Sequence, residues 1–411
     1  MFKLVTYIII KHLRKSNLGF RNSTFHIPLL FFADDGLILT NSVKEAKTLI
    51  KELHDISTKC GLEINKLKSH ILIFNKKQEL DQIENIEVVD SIKYLGVKIC
   101  ANKDCFLQQK EEMINKANRL ANLLPAIIYK STNRLLIGKT FWKNIALPRI
   151  LFASTVVPLS RKQIDQLQKI ENKAYRLIFN ASKFTPISAL RGEVGSSLMN
   201  SRIEKNKIVF IKHLICSNNE LLKSASLHHI RQGQSPWAKE TRRLFYENGL
   251  NTNMLKNIDK SEIKKNIYIK DSLLWEEDLM RKSSLKIYHE YKGELKEEKF
   301  YTNSHASNLL FKCRTNTLIL NDRNRFQQGN TECPCCDHPY EDLEHFLLHC
   351  RKFSTYRSKI SILQQPYPED NHQIIASLLL FKNHSIKSQI ETTNYLKKIH
   401  SIRKKIVENI P

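Results

Sequence analysis

Two clusters of side chains in this sequence have the types and spacing to hold metal ions. The first is Asp34-Asp35, inside "HIPLLFFADDGLILTNS", His26 to Ser42. Adjacent carboxylates repel, and one would take up a proton unless something positive neutralises the pair. Mg²⁺ does so, because a hard cation takes carboxylate oxygens directly. Two such ions roughly 3.5–4 Å apart can activate an attacking hydroxyl and stabilise a leaving pyrophosphate. The plainer reading of Asp-Asp-Gly is a solvated tight turn. The second cluster is "CPCCDHPYEDLEHFLLHC", Cys333 to Cys350, which combines four cysteines with three histidines. Its C-x2-C, eight residues, H-x4-C spacing suits a tetrahedral Zn²⁺ site, two thiolates coming from one tight turn and His and Cys from a following helix. The favoured set is Cys333, Cys336, His345 and Cys350. Cys335, His338 and His349 compete for the same places, and reduced thiols without metal are the bland alternative.

These residues need elements to position them. Leu29 to Ala33 and Leu37 to Thr40 read as a hairpin, with turn chemistry at Asp34-Asp35-Gly36. Ser42-Val43-Lys44-Glu45 fits a capping box, and Val43, Ala46, Leu49, Ile50, Leu53 and Ile56 follow at helical spacing up to Gly61. Strand signals return at Ile71 to Phe74, around Ile86 to Val89 and at Tyr94-Leu95-Gly96-Val97. This order is α+β, an antiparallel sheet with a helix packed on one face. From about residue 105 the pattern is helical. One amphipathic helix carries Met113, Ala117, Leu120 and Leu124 and stops at Pro125, and another enters through Ser160. Residues 185–325 read as mostly helical and basic. Glu341 to His349 is helix-compatible, and the chain closes on a basic amphipathic helix carrying Tyr395, Leu396, Ile399, Ile402 and Ile406.

The composition narrows the partners. Lys plus Arg number 66 against 41 Asp plus Glu, a net charge of +25. So large an excess points to a polyanion, nucleic acid first and an anionic membrane surface second. Basic residues interleave with aromatics at Lys139, Phe141, Trp142 and Lys143, and again at Lys352, Phe353, Tyr356 and Arg357, a pattern able to contact phosphates and stack bases. The cysteine clustering favours metal ligation in a reducing compartment over a disulfide framework. The apolar run Leu4 to Ile10 is too short for a membrane span. The expectation is a soluble intracellular protein of the nucleus or cytoplasm, without membrane contact.

Phe31-Phe32-Ala33-Asp34-Asp35 between apolar strands resembles the FADD box of reverse transcriptases of non-LTR (LINE-type) retrotransposons. "GLEINKLKSHILIFN", Gly61 to Asn75, resembles the G-L-x-[IV]-N-x-x-K-[ST] block of that family, with Asn65, Lys68 and Ser69 in the matching positions. "IKYLGVKI", Ile92 to Ile99, resembles its YLG block. "FTPISALRGEVG", Phe184 to Gly195, resembles a P-x-x-A-L-x-G-E-x-G stretch beyond the thumb. "FKCRTNTLILNDRNRF", Phe311 to Phe326, resembles the segment leading into the family's C-terminal zinc knuckle.

The resemblance implies an RNA-directed DNA polymerase that copies an RNA template from a DNA primer or target. Asp34 would be a direct Mg²⁺ ligand and Asp35 its neighbour beside the primer terminus. Lys68 would lie near the incoming triphosphate, and Tyr94, Leu95 and Gly96 would shape the primer grip. The zinc knuckle would help bind RNA or target DNA. The implied organisation is a partial palm at 1–103, a thumb-like helical domain at 104–182, a helical connector at 183–325, the zinc knuckle at 326–355 and a basic helical tail at 356–411.

One departure from the family pattern bears on activity. The resemblance implies a further metal-binding aspartate on a strand well before the hairpin, yet none of the residues ahead of Asp34 is Asp or Glu. The expectation is a chain that begins inside the palm, lacks the fingers and does not polymerise on its own. Three descriptions compete: part of a longer polymerase, a catalytically silent RNA/DNA-binding remnant, and a decayed element. Upstream coding sequence discriminates them. No endonuclease motif is evident, since Pro368-Glu369-Asp370 only loosely echoes a P-D…K arrangement.

Overall fold

The structure is a computed structural model and describes residues 2–22, 24–76, 80–129, 133–302, 304–323, 329–364, 370–381 and 385–409. Pro368 and Glu369 lie outside the described residues. The chain divides into two compact units. One comprises Met1–Asn115, Leu151–Gln163 and Ile203–Ile263, the other Lys116–Ile150, Ile164–Arg202 and Lys264–Pro411.

In the first unit, helix α1 (Phe2–Leu13) precedes strands β1 (Phe20–Arg21), β2 (His26–Ile27), β3 (Leu29–Phe32) and β4 (Asp35–Ile38), and helix α2 (Val43–Lys59) follows. β3 and β4 pair antiparallel in the register Leu29↔Ile38, Leu30↔Leu37, Phe31↔Gly36 and Phe32↔Asp35. Leu29 is thereby buried with Ile9, Leu13 and Leu49, and Phe31, Ile38, Leu53 and Ile56 pack around them. A one-residue slip would turn this apolar set outward, so burial and not turn chemistry sets the register. The reversal accordingly falls on Ala33-Asp34, with Ala33 at φ 54°. This places it earlier than the Asp34-Asp35-Gly36 turn expected from the sequence. Gly36 serves another purpose: a Cβ there would lie 2.8 Å from the Phe31 ring across the hairpin.

The helix start expected at Ser42 is present. Its Oγ accepts from the Glu45 N–H at 3.2 Å, while the Glu45 carboxylate accepts from the Asn41 N–H. Beyond Gly61 come β5 (His70–Ile71), β6 (Gln82–Ile83), β7 (Ile86–Val88), β8 (Ser91–Tyr94) and β9 (Val97–Cys100), with β5 parallel and β6 antiparallel to β7. The strand expected over Ile71 to Phe74 is cut short, since Asn75 turns the chain at φ 56°. Tyr94-Leu95-Gly96-Val97 is likewise not a strand. Tyr94 pairs with Val97, and Leu95 and Gly96 form the turn at φ 46° and 81°. Two successive positive φ values suit the right-handed twist of a two-residue hairpin.

The rest is largely helical: α3 (Leu107–Tyr129), α4 (Arg134–Phe141), α5 (Leu147–Ile150), α6 (Arg161–Phe179), α7 (Ile187–Val194), α8 (Met199–Ile215), α9 (Glu220–Gln232), α10 (Pro236–Glu247), α11 (Thr252–Asn257) and α12 (Lys260–Met280). After these come α13 (Lys286–Lys292), α14 (His305–Arg314), α15 (Ser354–Arg357), α16 (Asn371–Leu378) and α17 (Ile386–Glu408). The result is a mixed α+β protein with helices packed on small sheets and a mostly helical C-terminal region. α3 does not stop at Pro125 but runs through it. Leu124 and Ile128 are buried on either side of the proline. Burying a side chain of this size stabilises by about 1.5–3 kcal/mol, which offsets the hydrogen bond the proline removes. Ser160 begins α6 as expected, exchanging hydrogen bonds with Gln163.

The second unit is organised around buried ion pairs. α7, within Phe184 to Gly195, is buried from Ser188 to Val194. Its Glu193 accepts from Arg314 Nη2 at 3.0 Å and from the Tyr301 hydroxyl, with both charged groups at 0% exposure. Arg191 similarly donates to Asp271 at 3.1 Å. Two stretches quoted for family resemblance, around Glu193 and Arg314, are therefore the two halves of one internal contact. Buried charges need such partners, because leaving either alone in the core is strongly unfavourable.

Candidate metal centre and carboxylate hairpin

The hairpin presents its carboxylates outward. Asp34 sits in the turn, Asp35 opens β4, and both are exposed. Lys68 lies in a short 3₁₀ turn, Lys66–Lys68, where its N–H donates to the Asn65 side chain at 3.2 Å. Ser69 Oγ donates to the Asn65 carbonyl at 2.9 Å. Asn65, Lys68 and Ser69 thus shape one local turn. Among the described residues Lys68 forms no ion pair, so its ammonium and the two carboxylates are not joined by contact. Tyr94 is closer to the pair electrostatically. Burial first, and the Asp35 charge second, push its hydroxyl above the usual phenol range. Leu95 and Gly96 are exposed at the β8–β9 turn. A Cβ on Gly96 would meet the Phe152 ring at 3.1 Å. No third acidic, cysteine or histidine ligand gathers with Asp34 and Asp35 among the described residues.

The second cluster is assembled. The ligand atoms of Cys333, Cys336, His345 and Cys350 all lie within 4.8 Å of one another. Cys333 Sγ and Cys350 Sγ are 3.9 Å apart, and Cys336 Sγ and His345 Nε2 are 3.4 Å apart. Metal–sulfur bonds of about 2.3 Å and metal–nitrogen bonds of about 2.0–2.1 Å make tetrahedral edges of roughly 3.8 and 3.5 Å. The donor chemistry of the four residues therefore suits a Zn²⁺-type ion, and these two edges match its tetrahedron.

Local backbone structure explains the assembly. The Cys333 carbonyl accepts from Cys336 N and Asp337 N, and Asp337 at φ 57° closes the turn between the first two thiols. The helix expected over Glu341 to His349 becomes a π-helical turn, His345–His349, in which Cys350 N donates to the His345 carbonyl at 2.8 Å. A wider turn brings His345 and Cys350, five residues apart, to one side. Asp342 caps it, accepting from His345 N at 2.7 Å. The Cys336 thiol is held below its usual range: burial would raise it, but hydrogen bonds from the His338 backbone N–H, the Cys350 thiol and the Arg351 backbone N–H together outweigh that effect and favour the thiolate. The competing ligands take other places. His338 stacks on His345 at 4.3 Å, with its Nδ1 against the Tyr340 carbonyl, and exposed His349 meets Glu344 at 3.3 Å. Cys335 lies against Cys333 and Cys350 but outside the quartet, and its thiol is pushed up to about 12, foremost by its hydrogen bond with Cys333.

Residues not singled out in the sequence support this centre. Glu341 is fully buried, with Oε1 4.0 Å from Cys333 Sγ. Arg403 of α17 grips it with two bonds of 2.7 and 2.6 Å, and the Asn321 N–H adds a third at 2.9 Å. The available signal was Arg403 itself, seven residues beyond Leu396 on the buried stripe of α17, a position that requires a buried acid. In the basic/aromatic stretches, several of the named groups are engaged within the fold. Trp142 is fully buried and donates to Glu171, and Lys139 and Lys143 both pair with Glu297. Phe353 is fully buried and Tyr356 lies under Lys398.

Among the described residues no helix is long and apolar enough to cross a membrane. Residues 1–99 match the family described as reverse transcriptase (RNA-dependent DNA polymerase). The match contains α1, the β3–β4 hairpin with Asp34 and Asp35, α2, the Lys68 turn and the β8–β9 turn, and it ends well before the cysteine/histidine cluster. The N-terminal part of this chain is a reverse-transcriptase-like domain, and its C-terminal part carries a candidate zinc-type cluster.

Proposed function

We propose that residues 1–103 form the palm portion of an RNA-directed DNA polymerase of the non-LTR retrotransposon type, with an RNA template and a DNA primer or target as partners. The observation that carries this reading is the β3–β4 hairpin, which presents Asp34 and Asp35 to solvent within the reverse-transcriptase match. In this reading the two aspartates contribute to a Mg²⁺ site, Lys68 serves the incoming triphosphate, and Tyr94, Leu95 and Gly96 contact the primer. Residues 104–182 act as thumb, 183–325 as connector, 326–355 as zinc knuckle and 356–411 as basic tail. Zn²⁺ on the four ligands supplies a structural cross-link, consistent with a reducing intracellular setting in nucleus or cytoplasm.

The same observations favour binding without catalysis by these residues alone. Phosphoryl transfer depends on precisely held metals, and two neighbouring carboxylates on one hairpin do not complete such a site. No third ligand gathers there among the described residues. The residues present do not fit a full Mg²⁺ site, and no catalytic step is derived from them. The test is primer extension by the purified chain on a primed RNA template with Mg²⁺ or Mn²⁺, run beside a binding assay. The expected outcome is binding without extension. Extension would overturn the inactivity, and failure to bind any nucleic acid would overturn the polymerase-derived reading.

A further inference from the structure

The contact between α14 and α17 gathers basic groups that no motif announced. The rings of His305 and His400 lie 5.7 Å apart across it. His400 is half-buried and is pushed down to about 4, first by burial and then by the positive charges of His305, Arg403, Lys312 and Lys404. The acids nearby are committed. Glu341 is held by Arg403, while Glu408 pairs with Lys404 at 3.4 Å in an exposed i,i+4 bridge of little strength. Among the described residues Lys312 and Lys397 form no ion pair.

Helical spacing arranges these groups in rows. On α17, Lys397, His400 and Lys404 follow at i, i+3 and i+7. On α14, His305 and Lys312 are likewise one stripe. Each row runs about 10 Å at 1.5 Å per residue, or roughly three steps of a nucleic-acid strand. Arg403 projects from the same helix toward Glu341 beside Cys333, so the metal centre and the basic rows share one support.

We propose that the α14–α17 face, through His305, Lys312, Lys397, His400 and Lys404, binds the phosphate backbone of RNA or DNA beside the metal centre. This rests on the nucleic-acid reading above and assigns it a surface. Charge complementarity commits the occupant: Lys312, Lys397 and Lys404 stand here with no free acid among the described residues, an arrangement that a polyanion neutralises, while His400, uncharged near neutral pH, adds a hydrogen-bonding ring and no charge.

The test uses the full zinc-loaded chain and fluorescein-labelled oligonucleotides, an RNA hairpin and a DNA duplex of matched sequence, followed by anisotropy across a salt series. The variant Lys312→Glu/Lys397→Glu/Lys404→Glu should weaken binding at least tenfold. It should also reduce the slope of log K against log[salt] by about 0.9 per lost duplex contact. Lys397→Gln/Lys404→Gln, confined to exposed positions, should move both quantities in the same direction by less. Lys265→Glu on α12 is the control. Zinc content reports that the variants remain folded. Comparison of the two oligonucleotides tells which backbone is preferred. A zinc-retaining triple variant with wild-type affinity and slope would overturn this surface while leaving the nucleic-acid reading intact. A wild-type chain that binds neither oligonucleotide would overturn both, as would capture by phosphatidylserine vesicles alone.

Discussion

The carboxylate hairpin and the cysteine/histidine cluster are built on opposite principles. At the hairpin, both acidic side chains point to solvent and, among the described residues, no further ligand joins them. In the cluster, Cys333 and Cys350 are buried, all four ligands meet within 4.8 Å, and a buried carboxylate backs them. The difference lies in how far along the chain each site must reach. The cluster takes its four donors from Cys333 to Cys350, so one turn and one π-helical turn assemble it locally. On the reading proposed above, a two-metal carboxylate site draws donors from more than one segment, and Asp34 and Asp35 are neighbours on a single hairpin. Local sites are complete once their own backbone folds, whereas shared sites remain half-sites until another segment arrives.

The sharpest way to break this contrast is to remove a ligand from the complete site. Cys336→Ser should reduce zinc from one per chain to substoichiometric. Structural zinc sites bind with apparent energies of about 10–16 kcal/mol, and a good part of that is folding energy, so unfolding of the surrounding unit should move by several kcal/mol. Chelator should lower the wild-type melting temperature similarly. An unchanged melting curve after chelation would mean the quartet does not hold a stabilising ion.

Next in size is the support behind the ligands. Glu341→Ala leaves Arg403 and the Asn321 N–H facing an empty site in a buried setting. Breaking a buried ion pair from one side typically costs about 3–5 kcal/mol. Loss of an orienting group behind a metal site commonly weakens metal affinity by about 10–100-fold. A competitive zinc titration and a urea melt read the two effects separately. Zinc affinity unaltered by Glu341→Ala would show that Glu341 anchors α17 without tuning the metal centre.

How much of this could be read from the sequence depended on the range of the interaction. The Ser42 cap and the Cys/His quartet were legible because each is settled within a few turns of chain. The hairpin turn was misplaced because Asp-Asp-Gly advertises turn chemistry, while the burial of Leu29 against Ile9, Leu13 and Leu49 decides the register. Pro125 looked like a stop for the same reason: local propensity was read without the burial of Leu124 and Ile128 that overrides it. The Glu341–Arg403 and Glu193–Arg314 pairs join residues 62 and 121 positions apart, and no local spacing points from one partner to the other.

Protonation offers a gentler perturbation of the region behind the cluster. The folded state depresses His400 to about 4, against an unfolded value of about 6.5. A lowered histidine stabilises the fold fully above the unfolded value, and that stabilisation is lost as pH falls toward the folded one. Stability should therefore decline between about pH 6.5 and 4, and His400→Gln should flatten that portion of the profile. Of similar modest size is Gly96→Ala in the hairpin domain. It forces a Cβ into φ 81° and to 3.1 Å from Phe152, and should destabilise by about 1–2 kcal/mol in a denaturant melt.

The smallest expected effect is the most informative about the hairpin. Asp34→Asn removes a charge from an exposed turn, and such surface changes usually stay within about 0.5 kcal/mol. The same mildness should hold for Mg²⁺. A ligand present at 100 times its dissociation constant would stabilise the fold by about 2.7 kcal/mol, so a competent site would be visible as a raised melting temperature. A half-site should give no shift with millimolar Mg²⁺ in the wild-type chain or in Asp34→Asn. If Mg²⁺ raises the wild-type transition and Asp34→Asn abolishes the rise, the paired aspartates bind metal unaided. The hairpin would then be a complete site of its own, and the distinction between local and shared assembly would fail at the place where it was drawn.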